Sequence, residues 1–398
     1  MNPIPYGKQY ISELDISAVV ETLRSDYLTQ GPKVEEFENA FSNYIGCKYS
    51  IAVANGTAAL HLCALALDVQ YGDKVITTPI TFAASANCIR YCGGEVVFAD
   101  IERETYLINI EEIEKLLKNS AKGTIKGIVS VDFAGRAVNL EQLKKLADKY
   151  SLWIIEDACH APGGFFIDSK GVKQNCGNGV YADLSIFSFH PVKHIASGEG
   201  GMITTNDRNL YQKLLMLRTH GITKNKELFE NSFELAQGVK KSYQKTYPEW
   251  YMEMQELGFN YRITDIQAAL GISQLARAEQ GIERRIQIAK KYESAFENKK
   301  FIKKQVGYVE GHAYHLYIIE VEKRFELFNF LRSKSIFAQV HYIPTHLMPY
   351  YQKLGNKVGD YPSAEDYYSN CISLPMFPTL TDEEQEYVIY TILSFYKH

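Results

Sequence analysis

From residue 49 onward short apolar runs alternate with amphipathic helical stretches, and no other feature of this chain restricts its fold as much. SIAVA, KVITT, EVVFAD, IKGIVSVDF, LWIIED, LSIFSF and MITT read as strands. Between them lie stretches such as TAALHLCALAL, NIEEIEKLLKN and NLEQLKKLADKY, whose apolar residues recur at helical spacing. Strands separated by helices need crossovers, and crossovers give a parallel sheet with helices on both faces. Several of the strands are apolar nearly throughout, as a strand covered on both sides must be. The expected fold class is α/β, a mainly parallel sheet of about seven strands covered by helices. Ligands of such sheets bind beyond the carboxyl ends of the strands, so the residues just after each apolar run are the ones to read for chemistry.

The rest of the chain frames this sheet. Ser12 and Glu13 open a stretch with Ile16, Val19, Val20 and Leu23 at helical spacing, which predicts a surface helix. Gly31 and Pro32 start another, with Val34, Phe37 and Phe41 on its buried face. Residues 222–255 are rich in Lys and Tyr with little periodicity, a surface or lid-like excursion. A long helical region resumes at Thr264, and beyond about residue 300 come AYHLYIIEV as a strand, ELFNFLRSK as a helix, IFAQVHYI as a strand and a final helix from Thr381. At 398 residues the chain exceeds what one core usually serves. We expect an N-terminal arm plus large α/β domain over 1–260, and a linking helix with a small C-terminal α+β domain over 261–398.

Net charge is -4 and no basic run is long enough to track a nucleic-acid backbone, so nucleic acid is not an expected partner. MNPIPYGKQY lacks a charged-then-apolar leader, and no apolar run of membrane-spanning length is uninterrupted, which predicts a cytoplasmic protein without membrane contact. The 7 cysteines are odd in number and lack CxxC spacing, pointing to reduced, packed thiols and to no metal site.

Four strand ends carry suggestive chemistry. After SIAVA, Asn55, Gly56 and Thr57 form a small-residue turn opening into a helix, whose amides and dipole suit a phosphate. The plainer role for Thr57 is helix capping. After KVITTPI come Thr81 and Phe82; the aromatic can stack on a flat heterocycle or fill a core. After LWIIE comes Asp157, with His160 following; the carboxylate can hold a protonated ring nitrogen or accept a loop amide. The stretch Leu184 to Thr205 holds Ser188, then Lys193 between a proline and a glycine cluster. Lys193 can form a Schiff base, although a loop lysine on its own is usually just solvated. Together these residues supply an amine for a carbonyl, an acid for a pyridinium, an aromatic for a ring face, and amides with hydroxyls for a phosphate. That set describes pyridoxal phosphate, while GxGxxG, GxxxxGK[ST] and HExxH are absent.

NGTAALHLCALAL, TTPITFAASANCI, IIEDACHAPG, SFHPVK followed by GEGG, LRTHGI and LGFNYRITDIQAALGISQL resemble, in order and spacing, the DegT/StrS-type sugar aminotransferases, which have the aspartate aminotransferase fold (fold type I). Within that family IPYGKQYI, SDYLTQGP, WYMEMQELGFNYR, HLY at 315–317, FAQVHYIP and SAEDYYSNCISLPMFPTLT are most similar to the branch serving pseudaminic acid biosynthesis. That branch moves an amino group from glutamate to carbon 4 of a UDP-linked 4-keto-6-deoxy-N-acetylhexosamine of L-arabino configuration.

The resemblance implies that Lys193 is the Schiff-base lysine carrying pyridoxal 5'-phosphate as an aldimine, with pyridoxamine phosphate as the intermediate between half-reactions. It implies Asp157 at the pyridine nitrogen and His160 beside the ring hydroxyl. Phe82 then covers the ring face, and Gly56, Thr57 and Ser188 hold the phosphate. Asn260 reaches the neighbouring subunit's phosphate, which implies a homodimer with shared active sites. Tyr6, Tyr27, Leu28, Thr29, Asn55, Ser188, Asn260, Tyr314, His315, Leu316 and Tyr317 are expected to contact the nucleotide sugar. One departure is His194, where the family pattern leads us to expect proline. The alternatives are an aminotransferase for another 4-keto or 3-keto nucleotide sugar, such as a D-configured, bacillosamine-type one, and a non-catalytic pyridoxal-phosphate-binding regulator.

Overall fold

The computed structural model describes residues 3–305 and 307–397. Seven strands form its central sheet: β1 (Tyr49–Val53), β2 (Lys74–Thr77), β3 (Glu95–Phe98), β4 (Ile125–Val131), β5 (Trp153–Asp157), β6 (Leu184–Ser188) and β7 (Gly201–Thr205). Their spatial order is β1-β7-β6-β5-β4-β2-β3. β6, β5, β4, β2 and β3 run parallel, as the crossovers require. β7 is antiparallel to both its neighbours, because the chain returns from β6 through a loop without a helix, and a strand that returns directly must reverse direction.

Adjacent residues of one strand feed opposite faces, as the period of two demands. In β5, Ile154 packs with Leu143 and Leu146 of the helix Leu140–Tyr150. Its neighbour Ile155 joins the cluster of Leu62, Ile186 and Ile203 on the other side. Both positions are fully buried, so the sheet is covered on both faces and its open chemistry is left to the strand ends.

The C-terminal region builds a three-stranded antiparallel sheet from Ile302–Gln305, Tyr317–Val321 and Cys371–Leu374, with Tyr317–Val321 in the middle. The helices Arg324–Ser333 and Asp382–Phe395 pack with it around Ile319, Leu327 and Val388. The long helical region resolves into Asp265–Leu275 and Ala278–Phe296.

Two expectations are corrected, and the expected surface helix Glu13–Leu23 has an unexpected buried side. AYHLYIIEV becomes strand only at Tyr317; the residues before it run as a loop tied to another one, Ala313 N–H donating to the Gly135 carbonyl at 2.8 Å. IFAQVHYI supplies only the two-residue strand Ile336–Phe337, paired with Ile4–Pro5 of the N-terminal arm, and a single bridge from Gln339 to Ser373, beyond which His341 bonds Ser373 and Tyr342 approaches His160. In the helix Glu13–Leu23 it is Asp15 and Thr22 that are buried, while Ile16 and Leu23 are about half exposed. Asp15 turns inward because Arg277, Gln274 and Ser273 donate to its carboxylate.

Residues 222–255 form a surface excursion closed by the short pair Ile222–Thr223 and Glu253–Met254, with Phe229, Tyr247 and Tyr251 packed together inside it. All 7 cysteines are unpaired. Among the described residues no helix is long and apolar enough to cross a membrane.

Candidate active site

A cavity of about 580 Å³ opens at the carboxyl ends of the strands. Nine of the residues singled out from the sequence line it: Tyr6, Asn55, Gly56, Thr57, Phe82, Asp157, His160, Ser188 and Lys193. Topology brings them together. β5 and β6 are neighbours, so the residues that end them, Asp157 and Ser188, arrive at the same sheet edge.

Asp157 is buried and held from two sides. Its Oδ2 accepts the Ser85 hydroxyl at 2.7 Å, and its Oδ1 accepts the Cys159 N–H at 3.2 Å. Ser85 in turn lies 2.7 Å from the Thr81 hydroxyl. The carboxylate therefore takes one loop amide, the plainer of the two roles weighed from the sequence, and still lines the cavity.

The helix Gly56–Ala66 begins at the end of β1. Asn55 caps it, its Oδ1 accepting the Ala58 N–H at 2.8 Å. Thr57 is thus one residue inside the helix and its hydroxyl is not the cap. The N–H groups of Gly56 and Thr57 fall in the first turn, where no intrahelical acceptor exists. Gly56 is required by close approach: a Cβ there would stand 3.0 Å from the Ser188 Cβ. Phe82 is 64% exposed, which rules out core packing and leaves its ring available at the cavity.

His160 is neutral, since burial first, and then the charge of Lys193, hold its pKa well below the usual imidazole value. Its Nδ1 accepts the Ala134 N–H at 3.2 Å, so the ring proton sits on Nε2, 3.3 Å from the Tyr342 oxygen. That backbone donor comes from a strained turn, with Ala134 at φ 60 and Gly135 at φ 100. At Gly135 a side chain is also excluded by space, a Cβ falling 2.8 Å from the His160 carbonyl.

Lys193 sits in the loop between β6 and β7, its N–H bonded to the His190 carbonyl at 2.8 Å. Burial lowers the pKa of its amine; Arg285 adds in the same sense, and Cys159 and Asp157 oppose. The unexpected His194 anchors this loop: its Nε2 donates to the Ala313 carbonyl at 2.9 Å, tying the lysine loop to the C-terminal region.

The remaining expected contacts lie elsewhere. Tyr314, His315, Leu316 and Tyr317 do not line the cavity. Tyr314 is buried with its hydroxyl on Gly307 and Val309, Leu316 packs in the core with Ile318 and Tyr367, and the Tyr317 hydroxyl donates to Glu293 at 3.0 Å. They are buried because the middle strand of the small sheet and the loop leading to it sit beneath other elements. His315 backs the cavity wall, its ring 4.2 Å from that of His160. Tyr27, Leu28, Thr29 and Asn260 are surface residues of this chain. Sequence reasoning missed Cys159, His190, Glu199, Tyr261, His341 and Tyr342 as lining residues; only Glu199, within GEGG beside the lysine loop, carried a local signal.

Pyridoxal phosphate fits this donor set. There is one amine lowered by burial, one carboxylate fixed by two donors, and a side-chain-free helix start with free amides. Such a strand-end constellation on a doubly covered α/β sheet defines a fold type I aminotransferase. The chain matches the DegT/DnrJ/EryC1/StrS aminotransferase family over residues 9–393. It belongs to that family and is a sugar aminotransferase dependent on pyridoxal phosphate.

It is 40% identical to protein MJ1066 of Methanocaldococcus jannaschii, covering 96% of this chain and 94% of that one. It is 36% identical to the UDP-4-amino-4,6-dideoxy-N-acetyl-beta-L-altrosamine transaminase of Campylobacter jejuni strain 81-176, covering 98% and 97%. Among solved structures, Helicobacter pylori PseC, an aminotransferase involved in pseudoaminic acid biosynthesis, superposes over 100% of both chains with a TM-score of 0.85 at 31% identity. The PLP-form of the sugar aminotransferase Spr1654 of Streptococcus pneumoniae gives 0.85 at 29% identity, covering 98% of each chain.

Proposed function

We propose that this enzyme transfers an amino group from glutamate to carbon 4 of a UDP-linked 4-keto-6-deoxy-N-acetylhexosamine, working as a cytoplasmic homodimer. The observation that carries the reading is the convergence of Lys193, Asp157 and the helix start at Gly56 on one cavity. Similarity to the Campylobacter transaminase supports the choice of sugar.

Pyridoxal phosphate supplies a carbonyl that exchanges amino groups and a ring that takes up electron density. Lys193 would hold the carbonyl end of the cofactor through its amine and, when free, would accept a proton from the donor's α-carbon and return it to the cofactor. For that it must be neutral, and burial lowers its pKa in the required direction. Asp157, held by Ser85 and Cys159, would keep a proton on the pyridine nitrogen. The amides of Gly56 and Thr57 and the Ser188 hydroxyl take the phosphate charge. Phe82 would cover the ring face, and His160, fixed as the Nε2–H tautomer, would have a donor to offer the ring hydroxyl. Tyr6 and Asn55 line the same cavity and meet the sugar nucleotide. Tyr27, Leu28, Thr29 and Asn260, exposed in one chain, serve the neighbouring subunit's site.

A second reading keeps the chemistry and changes the sugar. His315 to Tyr317, counted among the marks of the pseudaminic branch, are buried and do not line the cavity, which favours weighing a D-configured 4-keto sugar of the bacillosamine type. Incubating the enzyme with glutamate and a panel of UDP- and dTDP-ketosugars, with product stereochemistry read by NMR, decides between them. Equal rates across the panel, or selectivity for a dTDP sugar, would defeat the assignment of the L-arabino substrate.

A further inference from the structure

Lys193 lines both the main cavity and a second one. The second, of about 210 Å³, lies behind the lysine loop. The N-terminal arm at Lys8 and Tyr10, the exposed Gln280 and the turn at Pro378 and Thr379 border it, and Lys193, His194 and Arg285 complete it.

Its lining contains no acid, but it includes Lys8, Lys193, Arg277, Arg284 and Arg285. Two of these cations are already compensated: Arg277 by Asp15 and Arg284 by Asp382. Arg285 is not. It is 1% exposed, its Nη1 donates to the carbonyls of Tyr314, His315 and Met376 at 3.0 to 3.2 Å, and its Nε has no partner. Its Nη2 makes no hydrogen bond among the described residues. A buried guanidinium without a carboxylate is expensive unless an anion completes it. His194, which lines the same cavity, also has its Nδ1 buried without a partner among the described residues.

We propose that this rear cavity is a binding site for a small oxyanion, a carboxylate or a phosphate, held by Arg285. Arg285 presents a planar fork suited to either group. The volume equals about seven water molecules at roughly 30 Å³ each, enough for inorganic phosphate or a five-carbon dicarboxylate and too small for a nucleotide sugar. The site is separate from the sugar assignment, because it shares only Lys193 with the main cavity.

Calorimetric titration of the holoenzyme tests this, using glutarate, which has the donor's carbon skeleton without its amine, and inorganic phosphate. Gln280→Glu places a fixed carboxylate at the mouth of the rear cavity without touching the main one. Its expected effect is at least about fivefold weaker binding of whichever probe the site takes, the size a unit charge exerts over several ångström in a part-solvated cavity. Gln280→Lys is expected to tighten binding, and Arg285→Gln to abolish it. Because Arg285 also clamps three carbonyls, melting curves for that variant accompany the titration, and the Gln280 pair stands if it does not fold. Selective glutarate binding identifies a dicarboxylic acid as the occupant, and selective phosphate binding identifies phosphate. Wild-type affinities that neither Gln280 variant changes, or no millimolar binding of either probe, would overturn the proposal. Amino transfer from glutamate is measured separately, so an inactive enzyme that still binds anions at Arg285 counts against the function and not against this site.

Discussion

The two walls of the main cavity are built in different ways. One wall is made of strand ends: Asp157 and Ser188 finish adjacent parallel strands, and Gly56 starts a helix directly after a third. Their positions follow from ladder hydrogen bonds inside a doubly covered sheet. The other wall comes from the arm and the C-terminal region, through Tyr6, His341 and Tyr342. These are loop residues placed by side-chain contacts, such as His341 Nδ1 to the Ser373 hydroxyl at 2.9 Å. On the function proposed above, the sheet wall and the lysine loop at its edge would handle charge and protons, and the wall of Tyr6, His341 and Tyr342 would orient and enclose. Mutations on the two walls should therefore differ in size as well as in kind.

The largest effect belongs to Lys193→Ala. Removing a positioned proton-transfer group is expected to reduce glutamate-dependent amino transfer by about 10²- to 10⁴-fold, read as loss of 2-oxoglutarate release, while the fold is kept because no side-chain hydrogen bond of Lys193 supports it among the described residues. A variant that transaminates at the wild-type rate removes Lys193 from the mechanism. Next, Asp157→Asn should retain cofactor and lose most activity. Ser85→Ala, which takes away the 2.7 Å hydroxyl donor to Asp157 and with it the bond to the Thr81 hydroxyl, should lower kcat by about 10-fold or more, the rate equivalent of a hydrogen bond to a charged group at 1.5 to 3 kcal/mol. If Ser85→Ala is as damaging as Asp157→Asn, the carboxylate depends on its orientation more than on its charge.

The same division explains what could be read from the sequence. The seven strands were legible because a parallel sheet writes itself as apolar runs between helical repeats, and Lys193, Asp157 and Gly56 were legible because such a sheet puts chemistry at strand ends. Tyr342 was not legible: it lies within IFAQVHYI, whose pattern reads as strand, and only its distance from His160 reveals its place. The buried side of Glu13–Leu23 was hidden for a related reason. Periodicity finds Ile16 and Leu23, but the inward turn of Asp15 is set by Arg277, more than 260 residues away. Ser85 went unseen because a serine inside a helical segment carries no local mark of the aspartate it serves.

The loop wall should show itself in acid stability. Burial first, and then Lys193, push the His341 pKa down to about 3. The unfolded chain titrates near 6.5. Between those values the unfolded state holds a proton that the folded state refuses, so stability from this group is intact above about pH 6.5 and is lost as pH falls toward 3. The slope is about 1.4 kcal/mol per pH unit within that window. His341→Asn cannot take that proton, so its unfolding free energy should fall less steeply between pH 6 and 4 by about that amount, as measured by denaturant titration. The buried Asp132, whose pKa is raised by burial and by Glu156, acts in the opposite sense in both proteins and cancels from the difference. Parallel slopes for wild type and variant would mean that His341 is already solvated in the folded state.

The smallest effect is expected at Tyr342. Its hydroxyl stands 3.3 Å from His160 Nε2, and its ring lies 6.4 Å from Phe82 and 6.0 Å from Phe133. Tyr342→Phe keeps these aromatic contacts and deletes one neutral hydrogen bond, worth about 0.5 to 1.5 kcal/mol. His160 keeps its tautomer in the variant, because Nδ1 still accepts the Ala134 N–H. The Nε2–H then has only the ligand to satisfy, so cofactor should bind as tightly as before or slightly more tightly, while turnover falls by no more than about 10-fold. The two measurements are separable by titrating cofactor into apoenzyme and by steady-state kinetics at saturating glutamate. A loss of cofactor affinity as large as that expected of a strand-end residue would mean that the loop wall holds the cofactor directly, and the division of labour between the walls would have to be redrawn with Tyr342 on the binding side.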